Sequence, residues 1–193
     1  FNYLHGTDGK DAAAVSMPFN YKGKINLSKM KIAYAKNYFN KKDTLGNENN
    51  VLEVFRKAGA TLIPVDFPDS GVYNFDMIGI VIGAESAAAF DGFTRTGIDD
   101  KMPRQGKGEW PNYFRAARFI PAVEYINTNR HRYLLIQKVN EVIEKYDVII
   151  CPTWVGNQAA ITNLTGNPAV SIPTGFNKGN TPTGITLVGN LYD

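Results

Sequence analysis

Hydrophobic residues in the first third of the chain follow the pattern of a strand–helix–strand unit. Residues 30–35 and 61–65 are short apolar runs, which are typical of strands. Between them, Asn47 or Asn50 can cap a helix, and Gly59 stands where a left-handed C-terminal cap belongs. Because the connections are short, the pattern predicts a crossover that joins two parallel strands. The apolar face of the predicted helix consists of Val51, Leu52, Val54, Phe55 and Ala58.

The remaining chain alternates between irregular, helical and strand patterns. Residues 1–30 are rich in turn residues and predict an irregular connector, with at most a short helix at 10–15. Small and apolar residues at 74–90 predict a helix buried on most of its surface, and the glycines and prolines of 94–112 predict a long surface loop. The longest helix is expected at 121–146. Together with three more predicted strands, at 147–151, 169–173 and 185–188, these elements indicate an α/β fold with a mixed or parallel sheet flanked by helices.

Composition is that of an ordinary globular protein, and it argues against several other classes. The chain has 193 residues, 44% of them hydrophobic, which is enough for one large domain or most of one. With one cysteine and two histidines, neither an intramolecular disulfide nor a Cys/His zinc site is expected. The densest apolar run, residues 78–89, is interrupted by Gly79, Gly83 and Glu85, so we expect no membrane span. Glycine-rich phosphate-binding motifs do not occur, and no cofactor is expected.

The candidate ligand site follows the strand predicted at 147–151. Ligand sites in α/β proteins form at the ends of parallel strands, and here a polar turn follows the strand end. Trp154, Asn157, Gln158 and Thr162 would lie at such an end. The alternative is a structural turn whose amides bond the local backbone, and Asn163 before Gly166 has the pattern of an Asx turn or a helix cap.

Other reactive residues have simpler structural interpretations. Cys151 closes an apolar strand without a cationic neighbour, which is typical of an inert core cysteine rather than a nucleophile. Ser28 and Lys31 have the spacing of an acyl-transfer pair, but they precede a strand and not a helix. Residues 12–42 contain seven lysines and no acid, which favours a solvated face, with single-stranded nucleic acid as an alternative partner.

The C-terminal segment is similar in sequence to an enzyme family. Pro152 and Thr153 end an apolar strand, and the motifs NLTGNPAVSIPTG and GITLVG follow. The segments RFIPAVEYINTNRHRY at 118–133 and LHGTDGKDAAAV at 4–15 extend the similarity over most of the chain. These motifs resemble the amidase signature family, whose members hydrolyse or transfer amides. The resemblance implies that residues 1–193 form one partial domain, the C-terminal portion of an amidase signature fold.

The resemblance also implies how the complete enzyme works. Family members use a serine nucleophile, a second serine on a cis peptide bond and a lysine, on a Gly/Ser-rich segment that precedes the portion seen here. The serines of this chain are isolated and lack that signature, so no catalytic residue is assigned. The expected partners are the N-terminal half of the same enzyme and a small amide substrate. Uncovered sheet edges also allow a homo-oligomer, whereas no nucleic acid, membrane or metal is expected.

Within this resemblance, the turn after Thr153 would form one wall of the substrate pocket. Trp154, Asn157 and Gln158 are predicted to contact the substrate, and Thr162 and Asn163 to brace the turn. The tRNA-dependent amidotransferase A subunits of the family place an acid several residues before the N-x-x-G turn, and residues 153–162 contain none. An amidase acting alone is therefore favoured, with a glutaminase of the amidotransferase kind or a non-catalytic binding module as alternatives.

Overall fold

The computed structural model describes residues 3–19, 23–39, 48–69 and 74–191. The described strands and helices follow one another in the order β1 (Ile32–Ala35), α1 (Lys36–Phe39), α2 (Glu48–Lys57), β2 (Leu62–Val65), α3 (Met77–Ala89), α4 (Asp91–Arg95), α5 (Trp110–Ala117), α6 (Ala122–Ile143), β3 (Val148–Pro152), α7 (Gln158–Thr165), β4 (Ala169–Phe176) and β5 (Pro182–Val188). Described residues before β1 form turns and one short 3-10 helix, Leu27–Lys29, in agreement with the predicted irregular connector.

The five strands form one mixed sheet in the order β2-β1-β3-β5-β4. β1 lies parallel to both β2 and β3, which confirms the predicted crossover unit. β5 is antiparallel to β3 and to β4, so β4 and β5 add an antiparallel hairpin to the sheet. The α/β class with a mixed sheet, predicted from the hydrophobic pattern, is confirmed.

Helices cover the two faces of the sheet unequally. On one face, α3, α6 and α7 pack over β1, β3 and β5, and the shared core contains the fully buried Leu135, Val139 and Ile161. On the other face, α2 packs over a smaller core that includes Leu52 and Ile150. The larger core forms beneath α6, whose apolar residues at i, i+4 and i+8 face the sheet.

Helix α2 ends as the sequence predicts. Gly59 has a φ of 93°, the left-handed conformation of a helix C-cap that glycine adopts without steric penalty. Asn50 lies inside the helix and does not cap it, while the other predicted cap, Asn47, lies outside the described residues. Val54 is exposed and not part of the packed face.

Helix α3 differs from its prediction. Its buried residues, Met77, Val81, Gly83 and Ala87, lie on one side, and Ile82 is exposed on the other. The prediction that most of the surface of this helix is buried was wrong, because small residues on its outer side are exposed and no described residue covers them.

Part of the long loop predicted at 94–112 is helical. The end of α4, a 3-10 turn at Asp99–Lys101 and the first turn of α5 lie within this range. Pro111 lies in the first turn of α5. Backbone N–H groups in the first turn have no acceptor within the helix, so a proline there costs no hydrogen bond. Glycine and proline here mark helix ends, which the pattern alone did not distinguish from a loop.

The second half of the candidate turn is also helical. α7 spans eight residues from Gln158 and ends at Gly166, whose φ of 82° forms a left-handed cap. Asn163 therefore lies inside a helix, and the Asx-turn interpretation of this residue was wrong. As predicted, α6 is the longest described helix, and no helix among the described residues is both long and apolar enough to cross a bilayer.

Candidate functional site

A sharp turn joins the end of β3 to the start of α7. Trp154 and Gly156 both have positive φ angles, 67° and 65°. A Cβ on Gly156 would lie 2.6 Å from Cζ of Tyr38 and 2.8 Å from Oδ2 of Asp69, so only glycine fits at this position. The backbone of the turn therefore lies directly against the ring of Tyr38.

Asp69 lies in the segment after β2 and stabilises the turn through hydrogen bonds. Its Oδ1 accepts hydrogen bonds from the backbone N–H of Asn157 at 3.0 Å and from Nδ2 of Asn157 at 2.7 Å. Beneath the turn, burial and then the negative charge of Asp69 raise the pKa of Tyr38 far above its ordinary value. Tyr38 is thus a neutral hydroxyl, and the turn is held by contacts from two other segments of the chain.

Beside this turn lies a pocket of about 220 Å³. Strand ends form its floor and α7 forms one wall. Its lining residues are Thr153, Trp154, Gln158, Ala159, Thr162, Asn163, Ala169, Ser171 and Thr186.

Three hydroxyl groups cross the floor of the pocket on neighbouring strands. Oγ1 of Thr153 lies 2.9 Å from Oγ1 of Thr186, and Oγ of Ser171 lies 3.2 Å from the same atom. Ser171 and Thr186 are direct partners in the antiparallel pairing of β4 with β5, and Thr153 follows β3 on the other side of β5. We call these residues the hydroxyl row.

The wall formed by α7 is also polar and uncharged. Nε2 of Gln158 donates to Oγ1 of Thr162 at 3.1 Å, and the Thr162 hydroxyl donates to the backbone carbonyl of Gln158 at 3.1 Å. Nδ2 of Asn163 donates to the carbonyl of Ala159 at 2.8 Å. None of the described residues that line the pocket has a charged side chain.

The structure brings four of the five predicted substrate-pocket residues together. Trp154, Gln158, Thr162 and Asn163 line the pocket, whereas Asn157 does not line it and is hydrogen bonded to Asp69. The bracing bonds of Thr162 and Asn163 run within α7. Whether these residues contact a substrate stays a prediction.

Sequence reasoning missed the hydroxyl row and Asp69. Ser171 and Thr186 alternate with apolar neighbours in their strands, which indicates that each hydroxyl lies on one face of the sheet. That the two hydroxyls are adjacent follows only from the strand register. Asp69 is separated from Asn157 by 88 residues and belongs to no local pattern, so no sequence signal indicated their contact.

The other candidates are not assembled into a site. Cys151 is fully buried, and burial raises the pKa of its thiol, as expected of a core cysteine. Ser28 lies in the 3-10 helix before β1, where its hydroxyl donates to Asn26. Part of the lysine-rich segment lies outside the described residues, and within the described part Lys36 forms an ion pair with Asp66. No group of three or more potential metal ligands occurs among the described residues.

The mixed sheet, its helical layers and the pocket at the end of β3 together define a class of protein: the chain has the amidase signature fold. A bacterial aryl acylamidase belonging to the amidase signature enzymes superposes with a TM-score of 0.72 at 18% sequence identity, over 98% of this chain and 46% of that one. The A subunit of glutamyl-tRNA(Gln) amidotransferase from Thermotoga maritima superposes with a TM-score of 0.57 at 21% identity, over 96% of this chain and 44% of that one.

Sequence comparison gives the same family resemblance. The A subunit of glutamyl-tRNA(Gln) amidotransferase from Psychrobacter sp. is 26% identical over 208 residues, which cover 86% of this chain and 41% of that protein. The same subunit from Streptococcus uberis is 26% identical over 245 residues, covering 99% of this chain and 48% of that protein. No family model matches the chain. The predicted resemblance to the amidase signature family is confirmed, and the chain spans less than half the length of these curated relatives.

Proposed function

We propose that residues 1–193 are the C-terminal portion of an amide C–N hydrolase and supply walls of its substrate pocket. The observation that carries this proposal is the uncharged polar pocket at the end of β3, in a fold shared with an aryl acylamidase. Neutral hydrogen-bonding groups at a strand end suit an amide, which has one acceptor oxygen and no charge.

The proposed chemistry places the reacting groups outside this chain. As the family resemblance implies, a lysine would take a proton from the cis-bonded serine, which in turn deprotonates the nucleophilic serine as it attacks the amide carbonyl. The C–N bond then breaks, the amine leaves with a proton, and water cleaves the acyl-enzyme to release the acid. Among the described residues, Ser171 is the serine that lines the pocket and no lysine or histidine lines it, so Ser171 is not proposed as the nucleophile.

A second candidate is a glutaminase of the amidotransferase kind. The names of the curated relatives favour it. Against it, no described residue that lines the pocket is an acid that could bind the ammonium group of glutamine, and Asp69 is hydrogen bonded to Asn157 beneath the turn.

Amide hydrolysis by the natural protein in its full length, compared with residues 1–193 alone, tests the proposal. We expect the full-length protein to release aniline from acetanilide or ammonia from simple amides, and residues 1–193 alone to release neither. Ammonia release from glutamine alone would favour the amidotransferase-like glutaminase. Hydrolysis by residues 1–193 alone would refute the placement of the nucleophile outside this chain, and no hydrolysis in either sample would favour a non-catalytic binding module.

A further inference from the structure

Asp69 does not line the pocket, yet its carboxylate accepts the hydrogen bonds that hold the turn between β3 and α7. We infer that Asp69 is a positioning residue for substrate binding, which acts through Asn157 and fixes the pocket groups on either side of that turn. This inference rests on the proposed function and names a residue on which the proposed site depends from outside its lining.

The segment that carries Asp69 is itself held in place. The side chain of Asn37, in α1, donates to the backbone carbonyl of Phe67 and accepts from the backbone N–H of Phe67, both at 2.9 Å. Phe67 is 2% exposed, and its ring centroid lies 5.6 Å from that of Tyr38. The N–H of Asp69 donates to the carbonyl of Phe67 at 2.7 Å. The carboxylate therefore extends from a segment that is fixed through both its backbone and its side chains.

Asn157 connects this segment to the start of α7. It occupies the N-cap position of the helix, where an asparagine side chain commonly accepts a hydrogen bond from the first turn. No described residue of α7 donates such a bond, and Nδ2 of Asn157 donates instead to Asp69 at 2.7 Å. A residue type that commonly caps a helix is therefore used to attach α7 to the segment after β2.

Pocket groups lie on both sides of this attachment. Thr153 of the hydroxyl row and Trp154 at the rim precede Asn157 in the turn, and Gln158 follows it directly. Thr153 belongs to the floor of the pocket, whereas Gln158 begins the α7 wall. A shift of the turn would therefore change the spacing between the floor and this wall.

The turn depends on such an attachment because its backbone is strained. Trp154 and Gly156 both have left-handed φ angles, and this conformation costs free energy for a residue other than glycine. Strain of this kind persists only where the surrounding structure holds it. The two hydrogen bonds from Asn157 to Oδ1 of Asp69 are contacts of this kind, so we expect the turn to relax when the carboxylate is removed.

Removal of the carboxylate should leave the fold intact. Asp69 is half-buried and Asn157 is exposed, so water can replace the hydrogen bonds between them. The position of the turn, rather than the stability of the whole chain, is therefore the property that this pair controls.

The test measures kcat and KM of the full-length natural protein for the amide that it hydrolyses best among acetanilide, acetamide and glutamine. We expect Asp69→Ala to raise KM by about tenfold and to change kcat by less than about twofold, because the turn contributes to binding and not to the reacting groups. Asp69→Asn keeps an acceptor oxygen for Asn157 and should restore KM to within about threefold of the natural value.

Asp66→Ala is the matched control. It removes another carboxylate that follows β2, one that is exposed and forms an ion pair with Lys36 at 2.9 Å. This change should leave both kcat and KM unchanged.

A double-mutant cycle tests whether Asp69 acts through Asn157. Asn157→Ala removes the bond from Nδ2 and leaves the bond from the backbone N–H, so we expect KM to rise by about threefold. In the Asp69→Ala background the same change should alter KM by less than about 1.5-fold, because the partner of the side chain is already absent. Additive effects would indicate that Asn157 contacts the substrate directly, and they would contradict the inference. Since Asn157 is exposed, Asn157→Ala alone still tests the effect on KM if Asp69→Ala fails to fold.

A spectroscopic measurement follows the turn itself. Fluorotryptophan is incorporated into the full-length protein, and the fluorine resonance of Trp154 is identified by its absence from Trp154→Phe. We expect Asp69→Ala to shift this resonance by more than its linewidth and Asp66→Ala to leave it in place. An unchanged resonance in Asp69→Ala would show that the turn does not depend on Asp69, and would overturn the inference.

The outcomes separate the inference from the proposed function. If the natural protein hydrolyses none of the three amides, the proposed function fails and the inference fails with it. If it hydrolyses one of them, and Asp69→Ala changes KM no more than Asp66→Ala does or lowers kcat with KM unchanged, the proposed function stands and the inference is wrong.

Discussion

At the scale of single residues, the shape of the pocket rim depends on one glycine. Gly156 combines a left-handed backbone with a lack of space for any side chain. The ring of Tyr38 and the carboxylate of Asp69 occupy the volume that a Cβ would need. Because Trp154 and Asn157 lie within two residues of this point, a shift at Gly156 would move both the aromatic rim and its anchor.

We expect Gly156→Ala to lower the free energy of unfolding by about 2–4 kcal/mol, from overpacking against Tyr38 together with an unfavourable positive φ. Gly79→Ala is the matched control. A Cβ on Gly79 meets no atom within 4 Å, and alanine is the better helix former, so this change should be neutral or stabilising by up to about 1 kcal/mol. Urea denaturation of both variants measures the difference, and equal losses would contradict the proposed clash.

At the scale of elements, two ion pairs of Arg115 attach α5 to the turn that follows α4. Asp99 is 2% exposed, and its Oδ2 accepts a hydrogen bond from Nε of Arg115 at 2.7 Å. Arg115 also reaches Asp100 and Gln105, and Nε2 of Gln105 donates to the carbonyl of Asp99 at 2.8 Å. This network adds polar contacts beside the apolar packing of Phe114 against Phe90, and it ties the glycine-rich segment between α4 and α5 to α5.

Removing the cation from this network should therefore destabilise the protein. We expect Arg115→Ala to lower the free energy of unfolding by about 3 kcal/mol, because it leaves the buried carboxylate of Asp99 without a partner. Arg95→Ala removes a surface pair with the partly exposed Asp91 and should lower the free energy of unfolding by less than about 1 kcal/mol. Urea denaturation again provides the measurement. A loss with Arg115→Ala no larger than with Arg95→Ala would show that the buried pair contributes little.

At the scale of the whole molecule, the described sheet has an exposed edge strand. β4 is the last strand in the described sheet, and its eight residues are exposed apart from the half-buried Thr174. Val170 and Ile172 are exposed apolar residues of this strand, and Ile172 lines a groove beside α2. An exposed edge strand with apolar side chains is prone to pair with another strand.

We accordingly expect residues 1–193 in isolation to self-associate as concentration rises, with β4 as the contact. Val170→Lys should reduce the average mass measured by light scattering after size-exclusion chromatography, since a lysine on an edge strand opposes strand pairing. Val123→Lys, at a similarly exposed position on α6, is the control and should leave the mass unchanged. A monomer at all concentrations, or the same mass change with both variants, would contradict this expectation.

The sequence by itself determined the elements that can be recognised from the spacing of residues close together in the chain. The β1–α2–β2 crossover, the long α6, the buried strand β3 and the cap at Gly59 are visible in spacing, because helices and strands repeat every 3.6 and 2 residues along the chain. The C-terminal motif was sufficient for the family resemblance. Trp154, Gln158, Thr162 and Asn163 could be predicted as neighbours because they follow one strand end.

Only the tertiary structure decided which distant residues complete the site. Thr186 and Ser171 join Thr153 through strand register, and Asp69 reaches Asn157 from 88 residues away. Local patterns also missed the short α7 and the helical part of 94–112, because the glycines and prolines in and beside these segments are also typical of loops. Propensity and periodicity describe each segment alone. Strand register and packing depend on interactions between segments, and those interactions determine the lining of this pocket.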